Sequence, residues 1–370
     1  MPLTAYSTLY GKELDVEQLL SHLNGDKEVR DLTNLAGIND HIRSFIAVDI
    51  QCPGCFVTGA ELVSGAASKK TGALIRQPYF RFTTPGHGKF CDFSNSETIK
   101  TPENLIDFGK ANNSITRQVR VLVCSAIELG IISQVKIRDM REWFYKTKAG
   151  SSFEVNLDAD FPIRLLAWTR AILKGSSIGT LPASVELSKD IAAAKGFDWK
   201  LEAHRQLYLL NADLSECIQG LKLWQLHDHA EKVSSIIKVH QKTEVFDPTV
   251  LKNEYQLTIE LTRYLNHYLK FPHNHHFPEL RHSPLVAFSA VLLYVNDWNI
   301  TNALKDFAKI SLHKDPDLTL GNVMGLNPFH EYQAWRLLKE LQSLPEEIQN
   351  IEDVSQVLDQ IETGLKTSFS

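Results

Sequence analysis

The sequence has no long apolar run. Its longest apolar stretch covers twelve residues, from Pro284 to Val295, whereas a helix that crosses a bilayer needs about 20. We therefore expect a buried core helix there and no association with a membrane. Met1 to Glu13 also lack the basic segment and apolar core of a secretory signal. Together these absences predict a cytoplasmic protein.

Cysteine is scarce, with five residues in a chain of 370. A long chain with few cysteines and no secretion signal is typical of a reducing compartment, so a disulfide framework is not expected. Cys124 and Cys217 stand in apolar or helical surroundings and are interpreted as core thiols. The other three cysteines lie near one histidine in the sequence.

Several common catalytic motifs are absent as well. The sequence contains neither a G-x4-G-K-[S/T] nor a G-x-G-x-x-G phosphate loop, and it has no G-x-S-x-G nucleophile turn. ATPase, dehydrogenase and hydrolase functions therefore lack support. A hydrophobic content of 43% with 22% charged residues is ordinary for a globular protein, and the length indicates two domains or one elaborated domain.

One motif with metal-ligand spacing is present. Cys52 and Cys55 flank a Pro-Gly turn, and His87 and Cys91 follow as an H-x3-C pair. Thiolates and a neutral imidazole are the ligands that Zn²⁺ prefers, and four protein ligands make a closed, structural site. The pattern therefore predicts a structural zinc ion held by these four residues. The alternative is a redox pair or free thiols, with His87 as an ordinary loop residue.

The residues around this motif predict a small β unit. Phe45 to Ile50 looks like a strand that leads into Cys52, and residues 56–82 look like a β-hairpin with a Gly/Ser/Lys tip. We expect residues 46–93 to form a zinc ribbon that is too small to fold well without its metal.

Basic residues are concentrated in the amino-terminal part. Residues 1–150 carry 18 Lys+Arg against 16 Asp+Glu, and residues 151–370 carry 21 against 28. Between Leu62 and Phe90 there are five basic residues and no acid. An anionic partner such as nucleic acid would meet this surface, although charge runs are often only solvated faces. The candidate nucleic-acid contacts are Lys69, Lys70, Arg76, Tyr79, Arg81 and Lys89, of which we expect Tyr79, Arg81 and Lys89 to be exposed.

The rest of the chain predicts mostly helices. Residues 104–130 have a helical pattern, Ile131 to Ile137 looks like a strand, and a turn at residues 150–152 is the expected domain boundary. Beyond it, Ser283-Pro284 and similar start signals separate a series of helices. The predicted fold is α+β, with a zinc-ribbon domain over residues 1–150 and a mainly helical domain over residues 151–370.

Residues 1–95 resemble the zinc-finger-like region of CoiA-like competence proteins. The resemblance is carried by the C-x2-C at Cys52, the aromatic stretch that begins at Pro78, His87 and the final Cys91, with the opening Thr4-Ala5-Tyr6 also fitting. It implies a context of DNA handling, such as uptake, recombination, mobile elements or antiviral defence. In that family the ribbon precedes a restriction-endonuclease-like domain.

Such a nuclease would need acids and a Q-x-K element on adjacent strands to hold Mg²⁺. Gln134-Val135-Lys136 is the nearest match, with Asp107 or Glu128 upstream. A second metal site could also be formed by the histidines between His273 and His282, although a polar loop is the simpler interpretation.

Three functions are therefore weighed. The first is a cytoplasmic zinc protein that binds nucleic acid in bacterial DNA processing, competence or defence. The second is a protein-interaction subunit in which the ribbon is only structural and the acidic helical domain binds a partner. The third is a metal-dependent nuclease.

Overall fold

The computed structural model describes residues 2–25, 32–68, 70, 74–91, 93–94, 105–107, 114–177, 179–220, 223–269, 284–318, 320 and 323–369. The protein is α+β, with small antiparallel sheets and a helical carboxy-terminal region. Among the described residues, no helix combines the length and the apolar character that spanning a bilayer requires.

The strands are short. They are β1 (Thr4–Ser7), β2 (Lys12–Asp15), β3 (Ile50–Gln51), β4 (Ala60–Val63), β5 (Ala66–Ala67), β6 (Leu74–Arg76), β7 (Tyr79–Phe82), β8 (Leu105–Asp107), β9 (Ser152–Glu154), β10 (Glu244–Phe246) and β11 (Val323–Leu326).

The helices contain most of the described residues. They are α1 (Val16–Leu23), α2 (Asp40–Asp49), α3 (Ser114–Glu128), α4 (Gln134–Ala149), α5 (Phe161–Gly175), α6 (Lys189–Ala192), α7 (Trp199–Leu210), α8 (Ala212–Gly220), α9 (Leu223–His240), α10 (Lys252–Leu269), α11 (Pro284–Tyr294), α12 (Ile300–Leu312), α13 (Tyr332–Gln342), α14 (Glu346–Gln349) and α15 (Val354–Phe369).

The chain forms two compact units. The first consists of Met1–Ser151 and Thr249–His330, and the second of Ser152–Pro248 and Glu331–Ser370. One boundary thus falls at Ser151, but the predicted domain 151–370 is divided between the two units. The reason lies in α11, which is apolar on all sides and therefore needs a complete surround of helices. It finds that surround in α3, α4, α10 and α12, and the buried helix predicted there is confirmed.

The amino-terminal part of the first unit contains two small sheets that matter for the cysteine cluster. In one, β1 pairs with β2 and β3 in the order β2-β1-β3. In the other, β4 pairs with β7 in antiparallel register from Ala60↔Phe82 to Val63↔Tyr79, and β5 pairs with β6 towards the tip. The predicted hairpin between Phe56 and Phe82 is therefore confirmed.

The predicted strand at Phe45–Ile50 is wrong, because this segment is helix α2 followed by the two-residue strand β3. The side chain of Asn39 caps the helix by accepting a hydrogen bond from the backbone N–H of His41 at 2.9 Å. The helical period then buries Ile46 and leaves Val48 77% exposed, which an amphipathic surface helix tolerates.

The predicted strand at Ile131–Ile137 is also wrong. Ser133 caps helix α4, with its hydroxyl accepting a hydrogen bond from the backbone N–H of Lys136 at 3.2 Å. Gln134 and Lys136 therefore lie in the first turn of a helix. Asp107, assigned from the sequence to a helical segment, lies instead on strand β8, which pairs with β11.

The second unit packs α5, α7, α9, α13 and α15 around one apolar core, with the two-stranded sheet β9–β10 beside it. Inside this unit Glu202 and Arg205 form a buried ion pair. Arg205 Nε and Nη2 donate to the two carboxylate oxygens at 2.9 and 2.7 Å, while the two side chains are only 3% and 2% exposed.

Candidate metal centre

The four predicted ligands come together at one point of the first unit. The Sγ atoms of Cys52, Cys55 and Cys91 and a ring nitrogen of His87 all lie within 4.8 Å of one another. The three cysteines are buried, at 0%, 8% and 5% exposure. Elsewhere in the described ranges, no other group of three or more His, Cys, Asp or Glu side chains converges in this way.

Four of the six distances between the ligand atoms can be compared with the edges of a tetrahedral zinc site. His87 Nδ1 lies 3.4 Å from Cys52 Sγ, 3.6 Å from Cys55 Sγ and 3.4 Å from Cys91 Sγ, and the Sγ atoms of Cys52 and Cys91 are 3.8 Å apart. A four-coordinate zinc with ordinary bond lengths gives edges of about 3.8 Å between sulfurs and about 3.6 Å between sulfur and nitrogen. A disulfide would need about 2.05 Å between sulfurs. The cluster therefore has the dimensions of a metal site.

Backbone N–H groups turn the sulfurs towards this common point. Gly54 donates to Cys52 Sγ at 3.4 Å, Gly88 donates to Cys55 Sγ at 3.4 Å, and Phe93 donates to Cys91 Sγ at 3.5 Å. Hydrogen bonds of this kind favour the charged form of the acceptor. The chain thus stabilises thiolates at the positions where a metal would need them.

Two aromatic residues next to the ligands adopt left-handed backbone conformations. Phe56, directly after Cys55, has φ 62°, and Phe90, directly before Cys91, also has φ 62°. Such conformations disfavour a bulky residue by roughly 1–2 kcal/mol. Each one reverses the chain beside a ligand, and the backbone N–H of Phe56 bonds the carbonyl of Cys52 at 3.0 Å within the first turn.

Tyr145 of α4 covers the cluster, which no sequence pattern predicts. A Cβ atom added to Gly88 would lie 2.0 Å from Tyr145 Oη and 3.6 Å from Cys55 Cβ. Burial, together with the negative charge of the three cysteines, raises the pKa of the Tyr145 hydroxyl. Tyr145 can approach the cluster only because position 88 has no side chain, and a contact across 57 residues has no local sequence signal.

We expect Gly88→Ala to lower the stability of the first unit by about 1–3 kcal/mol, because the added methyl group overpacks a filled space. Metal retention under chelator challenge should fall with it. Adding Tyr145→Phe removes the hydroxyl that the methyl group meets, so the double variant should recover part of the loss. Thermal unfolding and metal content of the two single variants and the double variant check this, and additive losses would show that the two positions do not meet.

Asp49 holds the approach to Cys52. Its buried carboxylate accepts hydrogen bonds from the hydroxyls of Ser7 and Thr8 and from the backbone N–H of Leu9, the last at 2.7 Å. The turn between β1 and β2 is thereby fixed to the end of α2, three residues before the first ligand. The sequence analysis did not identify this contact.

The cluster favours a bound cation. Burial raises the pKa of the Cys52 thiol to about 12. Hydrogen bonds with Cys52 and Cys91 lower the pKa of Cys55, whereas hydrogen bonds with Cys52 and Cys55 raise the pKa of Cys91. Negative charge on one sulfur is therefore shared by the three, and further ionisation needs a positive charge among them, as a metal ion supplies.

The predicted nucleic-acid residues have different environments. Tyr79 is buried at 7% exposure, so the expectation that it is exposed is wrong. Its ring lies under the guanidinium of Arg76, which is 5.9 Å from the ring centroid. Phe80 and Phe82, on the other face of β7, are buried in the core beside the cluster, so these aromatics have a packing role.

The basic side chains remain at the surface where they are described. Arg81 is exposed as expected, but its guanidinium is paired with Glu61 at 2.6 Å, and hydrogen bonds from Arg81 and Thr83 lower the pKa of Glu61. Lys70, Arg76 and Lys89 are exposed. Lys69 lies outside the described residues.

The residues of the nuclease hypothesis do not assemble into its site. Gln134 and Lys136 begin helix α4 rather than lying on a strand. Glu128 accepts hydrogen bonds from His313 and from the backbone N–H of Asp317, both at 2.6 Å. The histidines from His273 to His282 lie outside the described residues.

Comparison with protein-family models, with curated proteins and with solved structures finds no match for this chain. The resemblance to CoiA-like proteins therefore remains a prediction that rests on the motifs themselves. The function has to be argued from the geometry of the site.

Proposed function

We propose that the Cys52, Cys55, His87 and Cys91 cluster binds a structural zinc ion, and that the zinc-stabilised unit around it, a zinc ribbon, binds nucleic acid. The observation that carries the proposal is the convergence of four protein ligand atoms within 4.8 Å, with the S–N distances and the Cys52–Cys91 distance close to those of a tetrahedral zinc site. A site with four protein ligands has no open position for water or substrate, so its zinc has a structural role.

The donor set favours zinc over the common hard cations. Three sulfurs and one imidazole nitrogen suit Zn²⁺, whereas Ca²⁺ and Mg²⁺ take oxygen ligands. The four ligand positions contain no carboxylate. The surrounding core is also small, and its buried members include the three cysteine ligands themselves, so the metal would contribute directly to folding.

Nucleic-acid binding is supported by the charge of the hairpin. Lys70 and Arg76 of the hairpin and Lys89 beyond it are exposed, and the sequence from Leu62 to Phe90 contains no acid. Glu61 of β4 is the nearby acid, and it is paired with Arg81. Each phosphate contact made by such a side chain releases counterions and makes affinity fall with salt. A role in DNA processing, competence or defence follows only from the resemblance and stays a prediction.

The metal-replete protein should bind labelled nucleic acid more weakly at 200 mM than at 50 mM salt. We expect Arg76→Ala and Lys89→Ala each to reduce the slope of log affinity against log salt by about 1. Glu61→Gln should have the opposite effect, because it frees the guanidinium of Arg81 to meet a phosphate. Fluorescence anisotropy with single-stranded DNA, duplex DNA and RNA measures all three variants.

Lys366→Ala is a matched control, since it removes an exposed cation from the second unit. It should leave the salt slope unchanged. If the wild-type protein binds none of the three nucleic acids at 50 mM salt, the nucleic-acid part of the proposal is wrong. The zinc part of the proposal is tested separately, by the metal content of the purified protein.

A second candidate is a protein-interaction subunit. The second unit carries 14 Lys+Arg against 21 Asp+Glu, and it exposes Leu173, Leu210 and Val239 at 50%, 72% and 70%. An acidic surface with exposed apolar side chains suits a basic protein partner better than a nucleic acid. The nuclease hypothesis is not proposed, because Gln134 and Lys136 lie on a helix rather than on a strand.

A further inference from the structure

Helix α10 exposes aromatic side chains where the rest of the described chain does not. Tyr264 is 47% exposed and Tyr268 is 65% exposed. Every other aromatic side chain whose burial is described is buried or half-buried. The two exposed rings therefore single out one surface of the first unit.

The two tyrosines lie on the same face of the helix. Residues four apart are neighbours on a helix surface and are separated by about 6 Å along its axis. Arg263 and His267, also four apart and also exposed, form the adjacent ridge. The His267 and Tyr268 rings meet edge to face at 5.9 Å between centroids. The face thus repeats a basic residue followed by a tyrosine at each turn.

The core does not use the rings of Tyr264 and Tyr268. The opposite face of α10 is buried through Tyr255, Leu261 and Leu265, and the helix packs against α11 and α12. Two large rings exposed together on a polar helix face are the kind of surface on which a ligand stacks.

Single-stranded nucleic acid fits this face best. Bases of any sequence stack on exposed aromatic rings while cations follow the phosphates. The hairpin offers cations, but Tyr79 is buried there, so the first unit needs exposed rings from another element. Glu260 is the acid one turn before Tyr264, and the basic residues Arg263 and His267 flank the two rings.

We propose that the Tyr264–Tyr268 face of α10 binds single-stranded nucleic acid, with each ring stacked on a base and with Arg263 and His267 directed to phosphates. The inference rests on the proposed nucleic-acid binding and makes it more specific. It adds a preference for unpaired strands and a contribution from stacking that salt does not remove.

The test uses the full-length, metal-replete protein with a labelled oligothymidine and a duplex of the same length. Tyr264→Ala and Tyr268→Ala should each weaken single-strand binding about fivefold or more, the lower range for loss of one base–aromatic stack. Tyr264→Phe and Tyr268→Phe keep the ring and should stay within about twofold of wild type. Leu312→Ala, a truncation of another exposed side chain of the first unit, 79% exposed, should change nothing.

The outcomes separate this inference from the proposed function. Weaker single-strand binding in the alanine variants, with the phenylalanine variants intact and thermal stability unchanged, supports the stacking face. If wild type binds and only Arg76→Ala and Lys89→Ala weaken it, the hairpin function stands and the α10 inference is wrong. Equal losses for alanine and phenylalanine also overturn it. If wild type binds neither strand type, both proposals fail.

Discussion

Replacing Cys52 with serine should release the metal and unfold the region of residues 46–93. Cys52 is fully buried, and the three cysteine ligands belong to the same core as Phe80, Phe82 and Phe93. Structural zinc contributes roughly 10–16 kcal/mol of apparent binding free energy in small zinc modules, which is as large as the net stability of about 5–15 kcal/mol of a whole domain. Because the ligands are part of this core, few other contacts can stabilise it when the metal is lost.

The loss should be visible in three measurements on Cys52→Ser. Metal content should fall below the wild-type stoichiometry, and amide hydrogen exchange should rise across residues 46–93. The thermal unfolding transition of the first unit should move to a lower temperature or disappear. Cys217→Ser is the matched control, because Cys217 is half-buried on α8 and lies outside the cluster. A Cys52→Ser protein with full metal content and wild-type stability would show that the metal-site interpretation is wrong.

Removing one member of the buried ion pair should give the second large effect. After Glu202→Ala, the buried Arg205 guanidinium keeps one hydrogen bond among the described residues, which Nη1 donates to the carbonyl of Pro182 at 3.3 Å. Breaking a buried pair on one side typically costs about 3–5 kcal/mol, because the remaining charge is uncompensated. We expect the second unit to lose most of its stability while metal content stays unchanged.

A double variant separates the charge from the packing. Replacing both residues with apolar side chains of similar volume, as in Glu202→Leu with Arg205→Met, leaves no orphan charge, so its loss should be smaller than that of Glu202→Ala. Calorimetry of the transition assigned to the second unit measures both. The pair of Lys366 and Glu362, in which the lysine is 50% exposed, is the comparison, since Lys366→Ala should change stability by less than about 1 kcal/mol. Equal effects at the two pairs would show that burial of the charge is not the cause.

The ligand set could be predicted from the sequence because it depends on residue chemistry and short spacing. Two cysteines around a Pro-Gly turn must face one point, and His87 and Cys91 are the complementary pair nearest in the chain. The structure brings these four residues together. The hairpin was predictable for a similar reason, since strand-like segments flank a Gly-rich tip.

Helix α2 was missed because local preference and packing disagree there. Phe45-Ile46-Ala47-Val48 is rich in residues that favour strands. The Asn39 cap and the burial of Ile46 decide for a helix instead, and both depend on neighbours outside the segment. The burial of Tyr79 was missed as well, because the sequence does not show that Arg76 lies over its ring.

Long-range packing was beyond sequence reasoning altogether. The inclusion of Thr249–His330 in the first unit and the position of Tyr145 over Gly88 each join residues far apart in the chain. The two exposed tyrosines of α10 could not be predicted either, because only the packed structure shows which aromatic rings remain exposed.

The most direct test is metal analysis of the purified wild-type protein combined with X-ray absorption at the zinc edge. We expect one zinc per chain, with three sulfurs at about 2.3 Å and one nitrogen at about 2.0–2.1 Å. Substoichiometric metal, or a first shell dominated by oxygen, would contradict it and would leave the cluster as three buried thiols beside a histidine.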